Sequence, residues 1–198
     1  FDRAGEYFLE IRDVRYHGNK YWEYSVEVTN RAFVSNIYPI GLPINQKTKV
    51  ELVGTSLPDD NQYEITLPAD TTAGPVWKQL SLQDVATNSV VAFATTLPVT
   101  LESDADNTTP EGSQQVTFPD GINGRISEDS DVDCFRFEAK KGEKYTFEVR
   151  ARRYQSSLDP YLRIINIDGK RISENDDLKD FKRSFADSRI ENWTVPAD

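Results

Sequence analysis

Short apolar alternations, rather than helical stripes, run through this sequence. In residues 6–12, Tyr7, Leu9 and Ile11 alternate with Glu6, Phe8, Glu10 and Arg12. In residues 21–28, Trp22, Tyr24, Val26 and Val28 share one face. Alternation with a period of two marks a strand that is buried on one side. Tyr16-His17-Gly18-Asn19-Lys20 lies between the two runs and supplies turn residues, so 1–29 reads as a hairpin.

The same pattern continues downstream. Asn30 to Pro43 holds turn residues and two prolines and marks a boundary. Val50 and Leu52 alternate in one strand, and Tyr63, Ile65 and Leu67 in the next, with Gly54 and Leu57-Pro58-Asp59-Asp60 between them. The run VVAFATTLPVTLES closes this unit, which spans 30–100 and suits a small immunoglobulin-like sandwich. LESDADNTTPEGS is polar and acidic, and predicts an inter-domain linker over 101–113. Strands resume over 114–198. Phe135 and Phe137 alternate, Lys140-Lys141-Gly142-Glu143 turns the chain, and Tyr145, Phe147, Val149 and Ala151 face one way. Leu162 and Ile164 open another strand, and Asp168-Gly169 is a strong hairpin turn. No convincing helix longer than a turn or two is present, so the expected class is all-β with two β-sandwich units.

Composition sharpens this picture. The 198 residues hold one large or two small domains, and ten Pro, ten Gly and no Met suit a turn-rich β protein. No 18-residue apolar run exists, so membrane insertion is not expected. The net charge of −10 argues against nucleic acid and anionic membranes as partners. The acid is concentrated: from Leu101 to Asp133 nine carboxylates face Arg125 alone, a local charge of −8. A single cysteine, Cys134, excludes an internal disulfide and a cysteine-based zinc site.

Two stretches resemble known modules. YPIGLPINQKTKVELVGTSLP, through Pro39, Gly41, Val50, Leu52, Gly54 and Leu57, resembles the opening of an IPT/TIG-type immunoglobulin-like domain. About 85 residues from Gln114 resemble the bacterial pre-peptidase C-terminal (PPC) domain, a jelly-roll-like sandwich. The residues that carry this are Gly124 with Ile126, Asp133-Cys134-Phe135-Arg136-Phe137, Lys141-Gly142, Leu158-Asp159-Pro160-Tyr161-Leu162, Asp168-Gly169, Asn175-Asp176-Asp177 and Asp187-Ser188-Arg189-Ile190. Cys134 departs from the family, which often has an aromatic there. The resemblance implies that the last PPC strands are missing after Val195-Pro196-Ala197-Asp198, and that GEYFLEIRDVRYHGNKYWEYSVEV supplies an equivalent closing hairpin. On this reading the chain starts inside one PPC copy and stops inside the next, within a tandem repeat of PPC and immunoglobulin-like units. Tyr7, Leu9, Ile11, Trp22, Tyr24 and Val26 then form assembly strands. They either fold back on their own chain or complete a neighbour.

Candidate chemistry is sparse. Asp159, Asn175, Asp176, Asp177 and Asp187 fall at predicted strand ends and loops, where oxygen ligands for calcium converge. The plainer reading is turn capping for Asn175-Asp176-Asp177 and an ion pair for Asp187 with Arg189. Asp129, Asp131 and Asp133 form a weaker alternating cluster without the glycine and glutamate of an EF-hand. The only histidine, His17, lies in the first turn, and no GxSxG, P-loop or GxGxxG occurs, so an enzyme is not expected. Trp77 in GPVWKQL and Tyr161 are the candidate ligand-binding aromatics. The expected function is a non-enzymatic extracellular structural module of a repetitive bacterial surface or filament protein. It would assemble with other copies or neighbouring repeats by stacking or strand exchange. The alternative is a secreted accessory domain that binds polysaccharide or matrix protein for a larger enzyme.

Overall fold

The computed structural model describes residues 3–180 and 183–196; Ala197 and Asp198, at the expected joint with a following hairpin, lie outside the described residues. The chain divides into two compact units, Phe1–Asn30 and Arg31–Asp198. The architecture is all-β.

The first unit is extended chain with two turns. The Tyr16 amide donates to the Asp13 carbonyl at 3.0 Å, and the Trp22 amide to that of Asn19 at 2.9 Å. The Asp13 carboxylate also accepts from the Arg15 amide at 2.8 Å and the His17 amide at 3.2 Å, an Asx-type turn. The ladder expected between 6–12 and 21–28 does not form among the described residues. A two-stranded hairpin is marginal without a third strand or a packed face, and alternation alone supplies neither.

The second unit opens with β1 (Phe33–Tyr38), β2 (Gly41–Pro43), β3 (Lys47–Thr55), β4 (Gln62–Thr66), β5 (Gly74–Leu82) and β6 (Val85–Thr95). These make two three-stranded sheets, ordered β1-β3-β4 and β2-β6-β5. Both contribute to one core of Val34, Ile37, Leu42, Val50, Leu52, Ile65, Leu67, Leu80, Val90, Ala92 and Ala94, all buried. The inward residues alternate along each strand, as the pleat requires. Gly54 permits the close pairing of β3 with β1: a Cβ there would stand 1.9 Å from the Phe33 carbonyl oxygen.

The rest of this unit is built from short pairs. They are β7 (Val99–Leu101), β8 (Gln114–Gln115), β9 (Gly121–Asn123), β10 (Phe135–Arg136), β11 (Lys144–Glu148), β12 (Leu162–Ile165), β13 (Arg171–Asn175), β14 (Leu178–Asp180), β15 (Arg183–Phe185) and β16 (Arg189–Thr194). β7 runs parallel to β9 and β8 parallel to β10, while β11–β16, β12–β13 and β14–β15 are antiparallel. The β12–β13 hairpin closes at Asn166–Lys170 with Gly169 at φ 75°, where sequence placed it.

The acidic segment over 101–113 is not a free tether. Gln114 Nε2 donates to the Leu101 carbonyl at 2.9 Å, and its Oε1 accepts the Ser103 amide at 2.9 Å. The Cys134 amide donates to the Asn107 carbonyl at 2.9 Å, and Asn107 is buried. One side chain ties the two halves of the unit together. Asn123 Oδ1 accepts the Gly41 amide at 2.7 Å, and the main-chain carbonyl of the same residue accepts the Glu102 amide at 2.8 Å and the Tyr38 hydroxyl at 3.2 Å.

Candidate functional site

The five expected calcium residues do not converge as a group. Asp187 is fully buried, but its oxygens are taken by protein donors. Oδ1 accepts the amides of Ala151 at 3.0 Å and Arg152 at 2.6 Å; Oδ2 accepts Arg153 Nε at 2.6 Å. Arg153 also reaches Glu148 at 2.8 Å, and Glu148 pairs with Arg150 at 2.5 Å. Asn175 Oδ1 accepts the Arg189 amide at 2.7 Å, fixing the start of β16. Asp159 and Asp176 are exposed, and Asp177 is half-buried. Among the described residues no three His, Cys, Asp or Glu side chains are grouped so as to hold a metal ion. The expected ion pair of Asp187 with Arg189 is likewise replaced, by one with Arg153.

The Asp129, Asp131 and Asp133 cluster also separates. Asp131 accepts the Ser127 amide at 2.6 Å and the Ser127 hydroxyl at 3.0 Å, and these bonds hold its carboxyl below the ordinary value. Asp133 turns instead toward Glu102. Its Oδ1 is buried without a hydrogen-bond partner. A Cβ on Gly124 would lie 3.0 Å from Asp133 Oδ2 and 3.1 Å from Glu102 Oε2, so the two carboxyls crowd one spot. Burial first, then the hydrogen bond and charge of Glu102 and the charge of Asp131, raise the Asp133 carboxyl to about 7. Glu102 is itself held by Asn107 Nδ2 at 3.1 Å and the Arg125 amide at 2.8 Å. Catalytic carboxyls show such shifts too, but here both oxygens of Glu102 serve to bind the local backbone and Asn107.

Trp77 projects from β5 with 62% of its surface exposed. Tyr161 is exposed as well, and its hydroxyl donates to Glu174, which Arg171 holds at 2.6 Å. No contact joins these two aromatics. The six expected assembly residues are all solvent-facing: Tyr7 53%, Leu9 69%, Ile11 43%, Trp22 56%, Tyr24 71% and Val26 48% exposed.

The feature that sequence did not reveal is an open cleft of about 1960 Å³ within the second unit. Its apolar wall is a cluster of Phe118, Phe137, Tyr145, Phe147 and Trp193, all of which line the cleft. Phe118 and Phe137 lie 4.6 Å apart, Phe118 and Phe147 5.6 Å, and Phe147 and Trp193 6.0 Å, between ring centroids. Such spacings are those of packed aromatic cores, yet none of these rings is fully buried. The alternation of Phe135 with Phe137 and of Tyr145 with Phe147 predicted strands; it could not show that the space they face is unfilled. No family model matches the chain, and no curated protein or solved structure matches it either.

Proposed function

We propose that this chain is a non-enzymatic extracellular structural module of a repetitive bacterial surface or filament protein, assembling with further copies through the apolar segment 5–28. The observation that carries this reading is the exposure of Tyr7, Leu9, Ile11, Trp22, Tyr24 and Val26 in a segment without a ladder. Clustered exposed aromatics of this kind mark interaction surfaces rather than ordinary solvent-facing chain. The resemblance of 114–198 to PPC modules and of 30–100 to IPT/TIG modules supports the extracellular setting.

Magnitudes favour weak assembly. Full burial of six such side chains is worth roughly 1.5–3 kcal/mol each. About half of each is still exposed, so the remaining gain is on the order of 5–9 kcal/mol. Association opposes this with roughly 4–15 kcal/mol of lost freedom. At best about 5 kcal/mol is left, a Kd of a few tenths of a millimolar, so side-chain burial alone gives weak assembly and main-chain pairing must contribute to anything tighter.

Light scattering over a concentration series, with and without calcium, tests the reading. Mass should climb above 22.5 kDa with concentration and fall back in a Leu9→Asp, Trp22→Asp double variant. A mass fixed at the monomer value up to millimolar protein would sink it. The exposed Trp77 favours a second reading, an accessory domain for polysaccharide or matrix protein. Pull-downs on insoluble glycans and collagen, lost with Trp77→Ala or Tyr161→Ala, would favour that reading; empty pull-downs would remove it.

A further inference from the structure

We propose that the acceptor for segment 5–28 is the aromatic cleft of a second copy of this chain, an inference that rests on the assembly reading above.

The second unit contains one finished core and one unfinished core. In the first, eleven apolar side chains are buried between two three-stranded sheets. In the other, Phe118, Phe137, Tyr145, Phe147 and Trp193 touch one another and are largely but not fully buried, along the wall of the cleft. Among the described residues, the strands that line the cleft with them occur in pairs: β8 with β10, β11 with β16, and β12 with β13. A two-stranded pair has two outer edges, and β-augmentation adds a further strand at such an edge.

Size identifies the class of occupant. Small-molecule sites measure about 300–1,000 Å³. A cleft of about 1960 Å³ suits a stretch of polypeptide instead. The segment also carries the right amount of surface. At roughly 150–250 Å² per aromatic side chain, the exposed portions of Tyr7, Phe8, Tyr21, Trp22 and Tyr24 amount to roughly 700 Å². A standard interface needs roughly 800 Å² per partner. Leu9, Ile11 and Val26 add the remainder. One chain thus carries both an uncovered apolar segment and an unfilled apolar cleft, and a second copy supplies the complement of each. Donor and acceptor surfaces differ, so the contact is heterologous and propagates into filaments or closes into rings.

Mixing two full-length variants tests this. Leu9→Asp with Trp22→Asp blocks the donor and keeps the cleft; Phe137→Asp blocks the cleft and keeps the donor. Each alone should remain at 22.5 kDa, and an equimolar mixture should give a species of twice that mass and no larger. Hydrogen exchange on the wild-type chain provides a readout that does not depend on Phe137→Asp folding. The amides of Lys144–Glu148 should gain protection as concentration rises, by about tenfold or more near saturation. If the Phe137→Asp chain folds and polymerises like wild type, the cleft is not the acceptor, although the assembly reading survives. Wild-type protein that grows in mass while Lys144–Glu148 exchange stays constant leads to the same conclusion. A monomer at every concentration overturns both, whether the Lys144–Glu148 amides are protected or open.

Discussion

Asp133→Asn should stabilise this protein at pH 8 and leave it nearly unchanged at pH 4. Asp133 carries a buried oxygen without a partner and faces Glu102, with Asp131 adding a like charge. Arg125 lies close to the same spot, its amide on Glu102 and its guanidinium on Glu51 at 2.8 Å. The folded carboxyl is raised from 3.8 to about 7. Between about pH 4 and 7 the folded chain therefore binds a proton that the unfolded chain has released. The associated stability is fully present below pH 4, declines as pH rises, and is gone above 7. A difference of roughly three in pKa corresponds to a ceiling of about 4 kcal/mol. Asp133 retains some solvent contact, and screening reduces the expected effect to about 2 kcal/mol. Asparagine keeps a donor toward Glu102 and cannot ionise. Thermal unfolding of both proteins at pH 4, 5, 6, 7 and 8 is the assay. At roughly 2–4 °C per kcal/mol, the variant should melt about 4–8 °C above wild type at pH 8, with the gap closing toward pH 4. A gap that does not change with pH, or a variant less stable at pH 8, would refute the raised Asp133 carboxyl.

Three further substitutions probe the frame. Asp187→Ala strands three backbone amides and the Arg153 guanidinium, and should cost about 3–5 kcal/mol in chemical denaturation. Asn123→Ala removes the tie to Gly41; it should lower the melting temperature with a loss of about 1–3 kcal/mol, and hydrogen exchange at Gly41 should accelerate. Gly54→Ala pushes a Cβ against the Phe33 carbonyl at 1.9 Å. Neither backbone can yield without breaking the β1–β3 pairing, so a loss above about 3 kcal/mol, or failure to fold, is expected in circular dichroism.

Local regularities were readable from sequence wherever each strand's partner lay close by or its burial was uniform. Val50 with Leu52 and Ile65 with Leu67 alternate because one face of each strand is fully buried. Gly142 and Gly169 mark turns because both adopt positive φ. Relations between distant residues were not readable. GPVWKQLSL alternates, but nothing in it shows that it pairs along its length with β6. The sequence predicts Asp187 at a strand end or loop as a calcium ligand, yet it is buried because a turn 34–36 residues upstream aims its donors there. The acidic segment has a linker's composition, but Glu102 finds Asp133 and Asn107 in space. In residues 6–28 the alternation is as clear as anywhere in the chain, and still no ladder forms. A periodic pattern specifies a face to be buried and does not specify what buries it.

The parallel pairing of β7 with β9 has a mechanical consequence. Traction that separates the two halves of the second unit pulls β7 from its leading end and β9 from its trailing end. Because the strands run in the same direction, the bonds joining Val99–Leu101 to Gly121–Asn123 carry that load together in shear. An antiparallel pair pulled the same way would unzip one bond at a time. Residues 102–120 lie behind this clasp, and their own ties through Gln114, Asn107 and the β8–β10 pair take the load next, so the segment yields in steps rather than as free slack.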